Sequence, residues 1–189
     1  MKLILEQSFD YSINEDVEKG FYIEGIFSTA NVFNGNNRLY KKEILEREID
    51  SLIESKVKNK SAFGELGHSM NTDINLDRVS IITTELKWDG DNVIGKAKVL
   101  DTPMGKIAKV LVKEGKLGIS SRGTGTVDED NYVNDDFKLI TYDLVGDPSN
   151  QGSWVNGIYE MNQSIKIEDV KKEYHRKIWQ VLTDIEKSL

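Results

Sequence analysis

Cysteine is absent from this chain of 189 residues, and histidine and proline occur only twice each. Without cysteine there are no disulfides, thiolate zinc sites or thiol nucleophiles, and a reducing cytoplasm suits the protein. Two histidines and no H-E-x-x-H pair leave too few preferred ligands for a zinc hydrolase, and no other metal or cofactor is called for. Long apolar runs are missing as well. Leu3, Ile4 and Leu5 stop at Glu6, too short for a signal-peptide core or a membrane span, so neither export nor a membrane partner is expected. Positive charge is in deficit: a net charge of -7 opposes a phosphate backbone as the main partner, so nucleic acid is not expected either.

What is present reads as an α+β domain. Phe21 to Phe27 is aromatic and β-branched, the pattern of a core strand. Lys41 to Ser55 carries Ile44, Leu45, Ile49, Leu52 and Ile53 at helical spacing. Arg78 to Trp88 and Val93 to Leu100 form two runs joined through Asp89-Gly90-Asp91-Asn92. This is a hairpin with Val93, Gly95, Ala97 and Val99 on one face. Thr102 stands where an N-cap belongs, Pro103 at the first helical position and Gly115 at the stop, with Ile107, Val110 and Leu111 as an apolar stripe between. Leu117 to Val127 and Phe137 to Val145 return to strand-like composition. The order suits a mainly antiparallel sheet or barrel flanked by helices.

Beyond Tyr159 the pattern changes. Glu160 to Ser164 is polar, and Ile167, Val170, Tyr174, Ile178, Val181 and Ile185 then recur at three- and four-residue steps, predicting a long amphipathic C-terminal helix. The division expected is a domain over 1–159 and a linker with helical tail over 160–189.

Two glycine-rich segments carry the candidate chemistry. Gly64-Glu65-Leu66-Gly67-His68 offers a histidine able to take a proton from a hydroxyl. Gly118-Ile119-Ser120-Ser121-Arg122-Gly123 offers two serines at the end of a strand-like run, with following amides in Arg122-Gly123-Thr124-Gly125 to hold an oxyanion. Side chains alternate along a strand, so one of Ser120 and Ser121 faces the histidine, and spacing alone does not say which. A phosphate-loop reading of Gly118, Gly123 and Gly125 fails for want of the lysine and the strand-to-helix context. His175, in a polar stretch of the tail, reads as solvated.

Read together, these blocks resemble the prohead core proteases of T-even-like tailed bacteriophages. The resemblance runs from Gly20 to about Tyr159. It is carried by Tyr22-Ile23-Glu24-Gly25-Ile26-Phe27, Asn37-Arg38-Leu39-Tyr40, Gly64-Glu65-Leu66-Gly67-His68, Trp88-x-Gly90-x-Asn92-Val93-x-Gly95, Gly118-Ile119-Ser120-Ser121-Arg122-Gly123 and Asp143-x-Val145-x-x-Pro148-Ser149, in order. It implies His68 and Ser120 as the catalytic pair and the fold of the herpesvirus maturation proteases, a β-barrel surrounded by helices. Ser69 stands where the family usually has proline, which removes a constraint on the backbone at His68.

The group that orients the imidazole is not fixed by sequence. Herpesvirus-type enzymes use a second histidine, and the one available, His175, lies in the tail; an acidic residue is expected, with Asp143 ahead of Asp147. The resemblance implies acyl transfer, with backbone amides near Arg122 and Gly123 as oxyanion donors. Its implied substrates are scaffold or core proteins, the major capsid protein and the protease itself. These are met inside the prohead in the host cytoplasm, where a homo-oligomer is plausible. The family cuts after glutamate with an aliphatic residue two positions earlier, which makes Ile158-Tyr159-Glu160 an expected self-cleavage site. The competing expectation is a capsid assembly component that keeps the fold and binds without cutting.

Overall fold

The computed structural model describes residues 2–8, 11–16 and 20–146. The expected tail beyond Tyr159, with Glu160 and His175, and the alternative carboxylate Asp147 lie outside them. The elements in chain order are β1 (Lys2–Ser8), β2 (Tyr11–Asp16), β3 (Gly20–Thr29), α1 (Lys42–Leu52), β4 (Phe63–Glu65), β5 (Val79–Asp89), β6 (Asn92–Val99), α2 (Pro103–Glu114), β7 (Gly118–Gly125) and β8 (Lys138–Val145).

The described strands form two open antiparallel sheets, in the orders β2-β3-β6-β5-β4 and β1-β7-β8, in place of the closed barrel expected from the sequence. Closure fails at β4. That strand is three residues long, its register with β5 slips between Gly64 and Glu65, and the chain then touches β8 through one isolated parallel bridge, Leu66 to Leu144. A continuous ladder needs more paired residues than this junction supplies.

Alternation builds the core between the sheets. In β6, Val93, Gly95, Ala97 and Val99 are buried and the residues between them are not. The β3 register shifts between Ile26 and Ser28, leaving Phe27 as the extra residue of a bulge. Its ring lies over Gly95, where a Cβ would come within 2.4 Å of it, and meets Tyr142 of β8 edge-on with centroids 5.1 Å apart. Phe27 thereby ties the larger sheet to the smaller. Burial holds the Tyr142 phenol far above its usual pKa, so it stays protonated in its 2.8 Å hydrogen bond with Ser28 Oγ.

Helix α1 follows from its apolar periodicity and α2 from its end signals. Helix α1 buries Ile44, Leu45, Ile49 and Leu52 and packs on β8. Its last residues widen into a π-helical turn, Ile53–Val57, whose Lys56 Nζ donates to Ile140 O over 2.7 Å. Helix α2 is capped by Thr102 Oγ1, which accepts from Gly105 N at 3.0 Å. The face that α2 buries is Gly105, Ala108 and Val112, while the apolar stripe Ile107, Val110 and Leu111 stays exposed. The contact face uses small residues because the helix comes very close to its support. A Cβ on Gly105 would lie 1.9 Å from Leu100 O.

One buried charge links α1 to β8. Glu48 is paired with Arg47 and Lys138 and accepts from Leu139 N. Burial raises its pKa, but these hydrogen bonds and the Lys138 charge outweigh burial and hold it below the usual glutamate value of 4.5. A depressed carboxylate contributes stability that is fully present above the unfolded-state pKa and lost as pH falls through the folded one. Glu48→Gln is therefore expected to lower unfolding free energy by about 1–3 kcal/mol at neutral pH and to flatten its decline below pH 4.5, measured by urea denaturation across pH 3 to 7.

Candidate active site

The segment from Gly64 to His68 is shaped by how closely β4 approaches β8. Thr141 Oγ1 donates to Phe63 O at 2.6 Å, Gly67 N to Leu144 O at 2.6 Å and Leu66 N to Arg78 O at 2.9 Å. A Cβ on Gly64 would sit 2.0 Å from Tyr142 O, so only glycine allows this contact. Gly67 adopts φ +77°, the left-handed region that favours glycine, and turns the chain so that His68 faces back over β7.

Strand β7 supplies the hydroxyl. By alternation Ser120 and Arg122 share one face and Ile119 and Ser121 the other, and the contact of Ser120 Oγ with His68 Nε2 shows which face meets the histidine. In the β7–β8 ladder Ser120 is directly opposite Asp143, and directly opposed residues present their side chains on the same face. His68 bridges the two, with Nε2 at 2.5 Å from Ser120 Oγ and Nδ1 at 3.0 Å from Asp143 Oδ2. With the Nδ1 proton directed at the carboxylate, Nε2 is the acceptor for the serine hydroxyl, a tautomer assigned from this network. Ser120 and Asp143 have no solvent exposure, and the His68 side chain retains 12 %.

Beneath the three lies a buried ion cluster that the motifs did not announce. Asp143 Oδ1 accepts from Glu65 N at 2.8 Å and from Arg122 Nη2 at 3.2 Å. Arg122 Nη2 also donates to Glu65 Oε1 at 2.9 Å, and its Nε forms an ion-pair contact with Asp143 Oδ2 at 2.8 Å. Nη1 reaches the loop after His68, donating to Asn71 O at 2.9 Å. Glu65 accepts in turn from Asn75 N at 2.8 Å, and Arg78 Nε lies 3.3 Å from its Oε2. The available signal was a charged residue inside each glycine-rich block, two positions from the serine in one and three from the histidine in the other.

The remaining expected site residues fall differently. Arg122 and Gly123 lie within β7, flanked by β1 and β8, with a register shift against β8 between them. Ser69 caps the loop by accepting from Asn71 N at 3.2 Å. Among the described residues no group of three or more histidine, aspartate or glutamate side chains could hold a metal ion. Nor, among these residues, is any helix long and apolar enough to cross a membrane.

A family profile described as prohead core protein serine protease matches residues 2–164. The chain belongs to the prohead core protein serine protease family. It is 37% identical over 147 residues to the prohead core protein protease of Enterobacteria phage T4, covering 74% of this chain and 69% of that one. The solved structure of the bacteriophage T4 capsid assembly protease superposes with a TM-score of 0.73 at 34% identity, covering 78% of this chain and 98% of that one. The two-sheet, two-helix architecture described above is thus the fold of this protease family.

In this prohead protease the contact between β4 and β8 holds His68 near β7, so widening it should be felt at both levels. Gly64→Ala is expected to cost about 1–3 kcal/mol of stability and, in protein that still folds, to lower peptide-cleaving activity at least tenfold. Urea denaturation and a peptide-cleavage assay on the same preparation check both effects.

Proposed function

We propose that this chain is a serine endopeptidase in which Ser120 is the nucleophile, His68 the general base and Asp143 the group that orients the imidazole. The carrying observation is the unbroken relay from Ser120 Oγ through His68 to Asp143, at 2.5 Å and 3.0 Å, built by three elements remote in sequence. Ser120 Oγ attacks the scissile carbonyl while His68 Nε2 takes its proton. The tetrahedral oxyanion collapses as His68 returns the proton to the leaving amine, and water then hydrolyses the acyl-enzyme by the same base. Asp143 stabilises the imidazolium formed in each half-reaction.

The oxyanion donors in this reading are backbone amides at Arg122 and Gly123. Amides inside a sheet are ordinarily spent on neighbouring strands, and support for this assignment is the irregularity in the ladder beside them, where Ile140 of β8 is left over as the pairing passes from Arg122 to Gly123. The substrates are prohead core or scaffold proteins, the major capsid protein and the chain itself, cut after glutamate inside the prohead in the host cytoplasm. Support comes from the T4 relative, a capsid assembly protease by name. Self-processing after Glu160 divides a protease domain over 1–159 from a tail over 160–189.

Wild-type, Ser120→Ala and His68→Ala proteins, incubated and measured by intact-mass spectrometry, test this reading. Wild type is expected to lose the segment after Glu160, and both variants to stay whole, with activity down by at least about a hundredfold. Cleavage persisting in Ser120→Ala rules out the nucleophile. All three chains remaining intact, with no cleavage of prohead core protein in trans, favours the binding-only alternative.

A further inference from the structure

We propose that Arg122 and Glu65 act together as positioning residues for Asp143, Arg122 by restraining its carboxylate through one hydrogen bond and one ion-pair contact and Glu65 by cancelling the charge Arg122 brings to the site. The proposal rests on the roles given above to Ser120, His68 and Asp143.

The geometric half follows from what surrounds the carboxylate. Asp143 meets Glu65 N on Oδ1, His68 Nδ1 on Oδ2 and the Arg122 guanidinium on both oxygens. A carboxylate contacted from three sides is restrained from rotating away from the imidazole. Arg122 is two residues from Ser120 on the same strand face, so one rigid strand sets the distance from nucleophile to orienting group. By donating to Asn71 O it also fastens the loop that leaves His68.

The electrostatic half follows from counting charges. Asp143, Arg122 and Glu65 have no solvent exposure, so their interactions are weakly screened. Arg122 alone would leave His68 beside a neutralised carboxylate, a poor stabiliser of an imidazolium. Glu65 Oε1, 2.9 Å from Arg122 Nη2, takes up that positive charge and leaves Asp143 free to act on His68. The other charges facing the cluster are Arg78 at the start of β5, partly exposed against Glu65 Oε2, and Lys56 of the π-helical turn. Lys56 feels burial first and the Arg122 charge second, both lowering its pKa. Both of these cations add to the positive side, which makes the Glu65 carboxylate the balancing group.

The test separates this from a merely structural role. In the full-length Ser120→Ala protein, which the proposed chemistry leaves uncut, the His68 imidazole is titrated by NMR, with His175 the only other histidine in the sequence. Removing the Glu65 charge disfavours the protonated ring, so Glu65→Gln should move the His68 midpoint down by about one pH unit, tenfold in proton affinity. Arg122→Met should move it up, and the double variant should return it close to the starting value. With Ser120 intact, the acid limb of kcat/KM should follow the same order, with kcat of Glu65→Gln down about tenfold and KM little changed. Arg122→Lys, which keeps the charge and loses the several nitrogens that reach Asp143, Glu65 and Asn71 together, should lower kcat without moving the limb. An unmoved midpoint in folded Glu65→Gln overturns charge balancing, as does a double variant that fails to return. Should Arg122→Met not fold, Glu65→Gln alone decides. Persistent cleavage in Ser120→Ala overturns the triad reading by a separate observation, so the two failures cannot be confused.

Discussion

A single guanidinium with no access to water organises this molecule. Arg122 binds Asp143 and Glu65 at once and reaches the backbone of the loop that follows His68. Burying an arginine costs several kcal/mol unless its charge is matched, and here two carboxylates balance the charge while they and a backbone carbonyl accept from Nη1 and Nη2. Because those partners come from β4, β8 and the loop between β4 and β5, satisfying one side chain draws three separate parts of the chain to one point on β7. The same constraint that makes the cluster tolerable in the interior is the one that sets the geometry of Ser120, His68 and Asp143.

Around that point the packing is arranged to allow close approach of backbones. Gly64 lets β4 lie against Tyr142, Gly95 admits the ring of Phe27, and Gly105 lets α2 settle on Leu100. Each is a place where a methyl group would collide with something that cannot move far. Of these, the Gly64 contact lies at the junction between the sheets, which suits a site whose members sit on different sheets. The Phe27 bulge contributes in the same way, since a regular strand would have carried that ring along the pleat instead of into Tyr142.

Much of the fold was legible because its signals were local. The N-cap at Thr102, proline at Pro103 and glycine at Gly115 place α2 to within a residue, and alternation in β6 assigns its buried face correctly. The Asp89 to Asn92 hairpin is equally plain. Other elements left little trace: β4 has only three residues, and β1 and β2 mix apolar with polar and charged residues. The face used by α2 was not legible either. Periodicity marks where large apolar residues lie, whereas the helix docks on Gly105 and Ala108, where small residues permit contact.

The sequence by itself determined which residues stood as candidates. His68 and Ser120 lie in motifs whose residue types suit proton transfer and nucleophilic attack, and the lack of cysteine removed the thiol alternatives. Tertiary structure decided how they meet. The strand register sets Asp143 opposite Ser120, the strand face separates Ser120 from Ser121, and the ion cluster joins Glu65 to Arg122. The physical reason is that the residues that touch one another in the site lie 21 to 78 positions apart, so their contacts depend on how the sheets pair, and no local propensity encodes that pairing.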